Sequence, residues 1–242
     1  MRQLYPPAPT DAAPLDVATV YAYPHRLDRP WVRANMVSSI DGAGSVDGHS
    51  AGLSSPPDKQ IFSLLRAQAD VVLVGAGTAR AEGYGPGRIR AEYAPLRASR
   101  EQPADVPIAI VTQSLDLDLS SALFREFRPI VVTSAAADAT RLERLSDVAD
   151  VVVAGEQHVD LGAAMSALRD RGLRRVLCEG GPHLLGDLVQ AGLLDELCLS
   201  LSPLITAGTA PRIVAGDDVH ASMTLRSLLE DSGVLFARYV RA

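Results

Sequence analysis

The sequence predicts an α/β fold with a mostly parallel, mixed central sheet, helices on both faces and an antiparallel C-terminal edge. From Trp31 onward, short β-branched runs alternate with longer segments of helical periodicity, which is typical of helices packed on a parallel sheet. Several runs, such as VVLVG, IAIV and VVVA, are apolar throughout, as expected of strands covered on both faces. After Glu196, strands follow one another without helices, and Asp231-Ser232-Gly233 is a hairpin turn signal.

The individual elements follow from the same patterns. The predicted strands are residues 31–37, 71–75, 107–112, 129–133, 151–154, 175–179, 197–201, 224–230 and 234–241. Between them, apolar residues recur at helical spacing, for example Ile61, Leu64 and Leu65. The helix that contains these three is predicted to begin after Ser55, where a serine cap precedes prolines in the first turn, and to end near Ala69.

Length and composition favour a single domain over residues 1–242, with residues 1–28 as a loosely packed N-terminal arm. The chain is 47% hydrophobic and has a net charge of −6, with its cationic residues scattered singly. This distribution argues against a nucleic-acid partner. The most apolar stretch, residues 193–205, is interrupted by Asp195 and Glu196, so no membrane-spanning segment is expected.

The cysteines and histidines give no sign of a metal site. Cys178 and Cys198 each lie in an apolar run without zinc-binding spacing, and no two histidines are spaced as metal ligands. We therefore expect no metal, and buried thiols in a reducing compartment such as the cytoplasm. Neither a serine nor a cysteine lies in a nucleophile motif, so covalent catalysis has no support in the sequence.

Two glycine-containing turns follow central strands, VGAGT at 74–78 and CEGGPH at 178–183. Ligands of open α/β sheets bind at the carboxyl ends of the strands, and glycines there expose backbone N–H groups at the start of a helix, where phosphate binds. The first turn does not match the dinucleotide fingerprint, because Arg80 stands where the third glycine is required. Either turn alone could serve only to reverse the chain, but together they predict a nucleotide-type ligand.

Other polar residues have simpler interpretations. Asp41 follows the first strand and places a carboxylate at the same edge, the alternative being an ordinary turn. We expect Asp187, Asp195 and Glu196 on the solvated surface. Residues 82–105 form the longest stretch without periodicity, and a loop of that length is expected to border the functional site.

Three motifs, in this order and spacing, carry a family resemblance: SSIDG at 38–42, LLRAQADVVLVGAGTARAEG at 64–83 and LCEGGPHLLGDLVQAGLLDELCLSLSP at 177–203. From Trp31 to the C-terminus the chain resembles the pyrimidine reductase family of bacterial riboflavin biosynthesis, which has a dihydrofolate-reductase-like fold. The resemblance implies NADPH as hydride donor. It implies 5-amino-6-(5-phosphoribosylamino)uracil, or its diaminopyrimidinone relative, as acceptor, with hydride reaching C1′ of the opened ribose. It also implies a homodimer, for which residues 193–205 are a candidate edge, although a buried strand would look the same.

The resemblance further implies residue roles. Glu179 and Asp41 would be catalytic, Glu179 by orienting ribose hydroxyls or by favouring the ring-opened, iminium-like form. Ser50, Arg66 and Glu179 would bind the substrate, with Arg66 as a partner of the sugar phosphate. The cofactor-binding positions would be Val37, Gly75, Ala76, Gly77, Thr78, Glu82, Ser114, Gly180, Gly181, Pro182, His183 and Leu184, and Val37 and Asp41 would border the nicotinamide.

The chain also departs from the family pattern. Asn35 stands where the family usually has lysine, and residues 82–86 replace the common D-D-P, both near the expected substrate. The H-x-E and P-C-x-x-C motifs of the zinc deaminase found in the bifunctional protein are absent, so we expect a stand-alone reductase.

Two alternatives stay open. One is a reductase of a different pterin or pyrimidine substrate, such as dihydrofolate. The other is a non-catalytic NADPH-binding protein, against which the joint presence of Arg66, Asp41 and Glu179 argues.

Overall fold

The computed structural model describes residues 1–7 and 14–242, whose ten strands form one sheet in the order β1-β9-β10-β8-β2-β7-β3-β4-β5-β6. The strands are β1 (Arg2–Tyr5), β2 (Trp31–Ser39), β3 (Val71–Gly75), β4 (Ile108–Val111), β5 (Ile130–Thr133), β6 (Asp150–Val153), β7 (Arg175–Cys178), β8 (Leu194–Ser202), β9 (Met223–Asp231) and β10 (Val234–Arg241). Every predicted strand is present. Strand β1 was not predicted, and β8 begins at Leu194, before its predicted start at residue 197.

Eight α-helices connect or flank these strands in the described residues. They are α1 (Val17–Val20), α2 (Pro56–Gln68), α3 (Ala76–Ala81), α4 (Ala94–Ala98), α5 (Ala122–Glu126), α6 (Ala139–Ser146), α7 (Leu161–Asp170) and α8 (Pro182–Gln190). The predicted serine cap of α2 is confirmed, because Ser55 Oγ accepts a hydrogen bond from the Asp58 amide. Helix α4 lies inside the segment 82–105, which was predicted to be a loop throughout.

The sheet is parallel over most of its width. Strand β7 lies between β2 and β3, and the parallel pairing extends from β8 through β2, β7, β3, β4 and β5 to β6. Strands β10, β9 and β1 complete the other side by antiparallel pairing. The predicted combination of a parallel core and an antiparallel C-terminal edge is therefore confirmed.

Successive residues of β3 face opposite sides of the sheet and join different hydrophobic clusters. Val72 and Val74 belong to a cluster that contains residues of α2, α3, α5 and α6. Val71 and Leu73 belong to a second cluster that contains residues of α7 and α8. Each face of the central sheet is thus covered by its own group of helices.

The N-terminal segment is not the loose arm that the sequence suggested. Strand β1 pairs with β9, with Arg2 opposite Glu230. Farther along, Tyr21 is 1% exposed within the first hydrophobic cluster, and Gln68 donates a hydrogen bond to the Ala18 carbonyl. Backbone pairing and apolar burial therefore attach both parts of the segment to the sheet, and residues 8–13 lie outside the described part.

Strand β8 corrects two further expectations. Because it pairs with both β10 and β2, it is not an edge of the sheet. Asp195 and Glu196, expected on the surface, are 5% and 0% exposed, whereas Asp187 is exposed as predicted. Asp195 accepts hydrogen bonds from both terminal guanidinium nitrogens of Arg29 and from the Val32 amide.

Glu196 is the centre of a buried ionic network. It lies opposite Arg33 in the register of β2 and β8, and their charged atoms are 2.8 Å apart. Arg238 Nε and Trp31 Nε1 also donate to its carboxylate, at 2.6 and 2.9 Å. The Arg33 guanidinium stacks 3.9 Å from the ring centroid of Tyr23. Burial alone raises the pKa of Glu196, but the charges and hydrogen bonds of the two arginines outweigh it, so the pKa is lowered.

Other general features can be stated briefly. Both cysteines are free and buried. Within residues 1–7 and 14–242, no helix has the length and apolar character needed to cross a bilayer. The same residues contain no group of three or more histidine, cysteine, aspartate or glutamate side chains that could hold a metal ion.

Replacing Glu196 with glutamine is expected to destabilise the fold strongly. The substitution leaves the fully buried Arg33 without a counter-charge, which costs about 3–5 kcal/mol in the free energy of unfolding. Urea denaturation of Glu196→Gln beside Glu143→Gln, an exposed glutamate of α6, provides the measurement and its control. Equal stability of the two variants would contradict this role of the network.

Candidate active site

The two glycine turns meet at the carboxyl edge of the sheet, as the sequence analysis expected. The Gly75 amide donates a 2.9 Å hydrogen bond to the Gly180 carbonyl. The turns are also packed tightly, since a Cβ atom added to Gly181 would overlap the Thr78 hydroxyl oxygen. Neither Gly75 nor Gly181 caps its helix with a side chain, so no side-chain oxygen occupies the first amides of α3 or α8.

A cavity of about 490 Å³ opens beside these turns. Its walls come from the end of β2, from α2, from the start of the segment 82–105 and from the second glycine turn. The predicted site residues that line it are Val37, Ser50, Arg66, Thr78, Glu82, Glu179, Gly181 and Pro182. The sheet and α2 therefore bring most of the proposed substrate residues and part of the cofactor set into one space.

Glu179 lines this cavity, and its carboxylate is held from two sides. Arg66 donates to it through Nε and Nη2, both at 2.7 Å, and the Tyr84 hydroxyl donates at 2.6 Å. A carboxylate offers about four lone-pair positions, and these three donors leave roughly one of them free. Two of the donors bind Oε2 and one binds Oε1, so the free position is on Oε1. The Glu179 side chain is only 2% exposed, which strengthens each of these interactions.

The charges in this cluster are mutually stabilised. Burial acts to lower the pKa of Arg66, but the adjacent Glu179 carboxylate raises it by more, so Arg66 stays a cation. Burial, and then the charge of Glu179, raise the pKa of Tyr84 well above its usual value, so Tyr84 stays a neutral donor. The Arg66 guanidinium also lies 4.4 Å from the ring centroid of Phe62. The contact with Glu179 uses two of the five N–H groups of the Arg66 guanidinium, and the expected role of Arg66 as a phosphate partner stays a prediction.

A second cleft of about 660 Å³ lies at the ends of β3 and β4 and along α8. Of the predicted cofactor residues, Gly75, His183 and Leu184 line it. Ser114 does not, although its neighbour Gln113 does, and its hydroxyl instead accepts a hydrogen bond from the Asp116 amide. Ala76, Gly77 and Gly180 belong to the turns without lining either space.

Asp41 has a structural position that the sequence analysis did not anticipate. Its carboxylate accepts hydrogen bonds from the Ser39 hydroxyl and from the amides of Thr206 and Ala207, and it does not line the cavity. The Ser39 hydroxyl and the two amides lower its pKa to about 2. Asp41 therefore anchors the loop after β8 to the end of β2, and its expected catalytic role stays a prediction.

Glu82 also acts partly as a brace. It ends α3, and its Oε1 accepts a 2.9 Å hydrogen bond from the Ser50 amide. This contact joins two segments that both line the cavity. The Glu82 carboxylate thus positions the segment around Ser50. Glu82 also lines the cavity, and it was predicted from the sequence as a cofactor-binding residue.

Asn35 contributes the polar part of the cavity floor. It follows Arg33 by two residues on β2 and so faces the same side of the sheet. Its Oδ1 atom is buried and has no hydrogen-bond partner. A buried carbonyl without a partner costs about 1–3 kcal/mol, which a ligand that donates a hydrogen bond would offset.

Tyr84, Phe62 and Lys59 are among the cavity residues that were not predicted as site residues from the sequence. Tyr84 lies in an aperiodic segment, and only the fold brings its hydroxyl to Glu179. Lys59 and Phe62 precede Arg66 by seven and four residues on α2, a spacing that places all three on one helix face. Extending that helical spacing back from Arg66 would have identified both.

Comparison with known proteins gives the family. A sequence model described as the RibD C-terminal domain matches residues 30–235. The chain belongs to the RibD C-terminal domain family. Its sheet and helices form the dihydrofolate-reductase-like α/β fold that the resemblance implied.

Individual members of the RibD C-terminal domain family show how far the similarity extends. The 2,5-diamino-6-ribosylamino-4(3H)-pyrimidinone 5′-phosphate reductase of Archaeoglobus fulgidus is 30% identical over 195 residues, covering 78% of this chain and 88% of that protein. The riboflavin biosynthesis protein RibD of Bacillus amyloliquefaciens is 26% identical, and this chain spans about half of it, 51%. The crystal structure of a pyrimidine reductase-like protein from Corynebacterium diphtheriae has 29% identity and a TM-score of 0.81, with 88% of this chain and 92% of that chain covered.

Replacing Gly181 with alanine is expected to lower the free energy of unfolding by about 1–3 kcal/mol, because the added Cβ overlaps the Thr78 hydroxyl. The same replacement in a Thr78→Ala background should cost less, since the overlapping oxygen is gone. Denaturant unfolding of the two single variants and the double variant measures the coupling. Strict additivity would contradict the close packing of the turns.

Proposed function

We propose that this chain is an NADPH-dependent reductase of a phosphoribosylated aminopyrimidine in riboflavin biosynthesis. The observation that carries the proposal is the buried Glu179 carboxylate, held by Arg66 and Tyr84, in a cavity that adjoins the paired glycine turns. Family membership and the names of the relatives support the same reaction class.

Of the two related acceptors, we favour 2,5-diamino-6-ribosylamino-4(3H)-pyrimidinone 5′-phosphate. The relative from Archaeoglobus fulgidus is named for this substrate and aligns over 88% of its length, whereas the RibD protein aligns over half. The orphaned carbonyl of Asn35 in the cavity floor suits a heterocycle that carries N–H donors. The uracil form, 5-amino-6-(5-phosphoribosylamino)uracil, remains the comparison substrate.

The glycine turns suit a dinucleotide cofactor. Backbone N–H groups of residues 76–78, 180–181 and 183–184, at the starts of α3 and α8, would contact its phosphates and ribose, with the second cleft taking the rest of the molecule. Gly181 can approach such a ligand because it has no Cβ. When bound, NADPH supplies the hydride. Val37 at the end of β2 would border its reactive ring.

Glu179 would act by positioning the acceptor rather than by accepting a proton. Its remaining lone pair on Oε1 can accept a hydrogen bond from a sugar hydroxyl of the acceptor. Its negative charge, on a side chain that is 2% exposed, also favours positive charge developing at C1′. Arg66 and Tyr84 hold the carboxylate in one orientation, and hydride transfer depends mainly on such alignment.

The proposal is tested by following oxidation of NADPH with each of three acceptors: the diaminopyrimidinone phosphate, the uracil phosphate and dihydrofolate. Turnover of either phosphoribosylated acceptor supports it. Turnover of dihydrofolate alone would assign the chain to a different substrate, and NADPH binding without turnover of any acceptor would make it non-catalytic.

Replacing Glu179 with glutamine is expected to lower kcat by about 100-fold or more and to leave the Kd for NADPH within about threefold. Glutamine removes the negative charge and turns an N–H₂ group toward donors on Arg66 and Tyr84. Steady-state kinetics and calorimetric titration of NADPH measure the two effects, with Glu143→Gln on α6 as the matched control. An equal loss of turnover and of cofactor affinity would contradict the positioning role.

We also propose that the chain works in the cytoplasm, where free thiols such as its two buried cysteines persist.

We further propose that the chain forms a homodimer through the loop region after β8. Ile40, Leu204 and Ile205 are large apolar side chains with exposures of 60%, 42% and 74%. The Ile40 amide donates to the Leu204 carbonyl, which joins them into one patch. A second copy covering this patch would remove its apolar surface from water.

Replacing Ile205 with aspartate is therefore expected to shift the protein from dimer toward monomer. Light scattering after size-exclusion chromatography measures the mass. Val153→Asp serves as the control, because Val153 is a comparably exposed apolar residue, 53%, on β6, an edge strand that does not pair with β2 or β8. A monomeric wild-type protein, or a dimer that survives Ile205→Asp, would refute this interface.

A further inference from the structure

The loop after β4, residues 113–116, borders the proposed cofactor site. Strand β4 pairs with β3 in parallel, with Val111 beside Gly75, so this loop leaves the sheet next to the first glycine turn. Gln113 lines the second cleft, and Ser114 follows it directly in the chain. A dinucleotide in the second cleft would therefore have one end beside the loop after β4.

Two arginines from different helices converge on this loop. Arg80 of α3 donates from Nη1 to the Asp116 carbonyl at 2.5 Å, and Arg141 of α6 donates from Nη1 to the Ser114 carbonyl at 2.9 Å. Both arginine side chains are exposed, and each contact uses one of the five N–H groups of a guanidinium. Residues two apart span at most about 7 Å of chain, so both cations are attached to the same short segment.

The charges at the loop after β4 favour an anionic ligand. The Asp116 carboxylate lies 3.5 Å from Arg80 Nη1, but it is 68% exposed, and an exposed ion pair of this kind contributes little to stability. In the described part of the chain, no carboxylate oxygen lies within 4.0 Å of a guanidinium nitrogen of Arg141. The Asp138 carboxylate, which caps α6, accepts a hydrogen bond from the Arg141 amide instead. The loop therefore carries two cations and one weakly held carboxylate.

The second cleft has few charged groups of its own. The residues that line it include no arginine or lysine, and its one carboxylate is that of Asp187. Backbone N–H groups of the glycine turns can take a pyrophosphate, but a phosphate monoester carries nearly two negative charges and binds best to charged donors. NADPH carries such a group on the 2′ oxygen of its adenosine ribose, and NADH does not.

We infer that Arg80 and Arg141 bind the 2′-phosphate of the cofactor and so select NADPH over NADH. Guanidinium groups donate paired hydrogen bonds to phosphate oxygens, and both arginines have N–H groups left for such bonds. The Ser114 hydroxyl accepts a hydrogen bond from the Asp116 amide and can donate its own hydrogen to the same phosphate. The inference rests on the proposed function for the use of a nicotinamide dinucleotide, and it adds the residues that distinguish two such dinucleotides.

The test measures binding by calorimetric titration with two matched pairs of ligands, NADPH with NADH and adenosine 2′,5′-bisphosphate with AMP. The members of each pair differ only in the 2′-phosphate. The wild-type protein is expected to bind the member with the 2′-phosphate more tightly. Arg80→Gln and Arg141→Gln are each expected to raise the Kd of that member by about 10- to 100-fold and to leave the Kd of the other member within about twofold.

The variants separate the charge of each arginine from its contact with the loop. Glutamine can still donate to the loop carbonyl, so only the charge is lost. Arg141→Lys keeps the charge and should retain part of the preference for the 2′-phosphate. Arg171→Gln is the control, because Arg171, the residue after α7, is exposed and also donates one hydrogen bond to a backbone carbonyl, that of Ala167.

Three results would overturn the inference. The first is equal affinity of the wild-type protein for the two members of each pair. The second is a preference for the 2′-phosphate that survives in the double variant Arg80→Gln/Arg141→Gln. The third is an equal loss of affinity for both members of a pair, since that would indicate a structural effect.

These binding measurements do not depend on turnover, so the inference and the proposed function can fail separately. A wild-type protein that prefers NADPH but reduces no acceptor would refute the proposed function, and the arginine variants would still decide the inference. A wild-type protein that reduces a phosphoribosylated acceptor equally well with NADH and NADPH would keep the proposed reaction and refute the inference. Absence of binding of all four ligands would refute both.

Discussion

The hydrogen bond from the Gly75 amide to the Gly180 carbonyl is the constraint on which the site depends. It exists because β7 is inserted between β2 and β3, so that turns more than a hundred residues apart in the sequence leave the sheet side by side. Parallel strands place all such turns at the same edge. The central position of β7 also places Glu179, the first residue after it, between α2 and the end of β2. Both the glycine turns and the carboxylate thus owe their positions to one feature of strand order.

The Glu179 cluster shows why the segment 82–105 matters although most of it is irregular. The carboxylate comes from the end of β7, the guanidinium from α2, and the phenol from Tyr84 in this segment. Glu82 connects the start of the same segment to Ser50 across the cavity. A short stretch of irregular chain therefore both closes one wall and completes the partners of the buried carboxylate. A different sequence in this segment would hold Glu179 in the same way if it also brought one neutral donor to the carboxylate.

The sequence was sufficient for the features that depend on local periodicity. Apolar runs predicted the central strands, and glycines at strand ends predicted the converging turns, because both signals lie within a few neighbouring residues. It was insufficient where the environment of a charge is set by distant residues. Glu196 looks like a surface residue until Arg33 and Arg238 are placed beside it, and the anchoring role of Asp41 is not visible until the amide of Thr206 is placed beside it. Arg66 was correctly placed in the site, but its partner could not be read from its own surroundings in the chain.

One face of β2 shows where the self-contained core ends and the ligand site begins. Arg33, Asn35 and Val37 follow one another on this face, each about 7 Å from the next. Arg33 is fully buried, and its charge is balanced by Glu196. Asn35 lies opposite Cys198 in the register of β2 and β8, but the Cys198 thiol donates its hydrogen bond to Glu196. The Oδ1 atom of Asn35 is therefore left without a partner. Val37 then presents an apolar surface to the open cavity. Along this face, a paired ion is followed by an unpaired amide and then by an apolar wall, which is the pattern expected of a pocket shaped for a heterocycle. A core residue whose carbonyl is as buried as that of Asn35 would otherwise be paired or apolar.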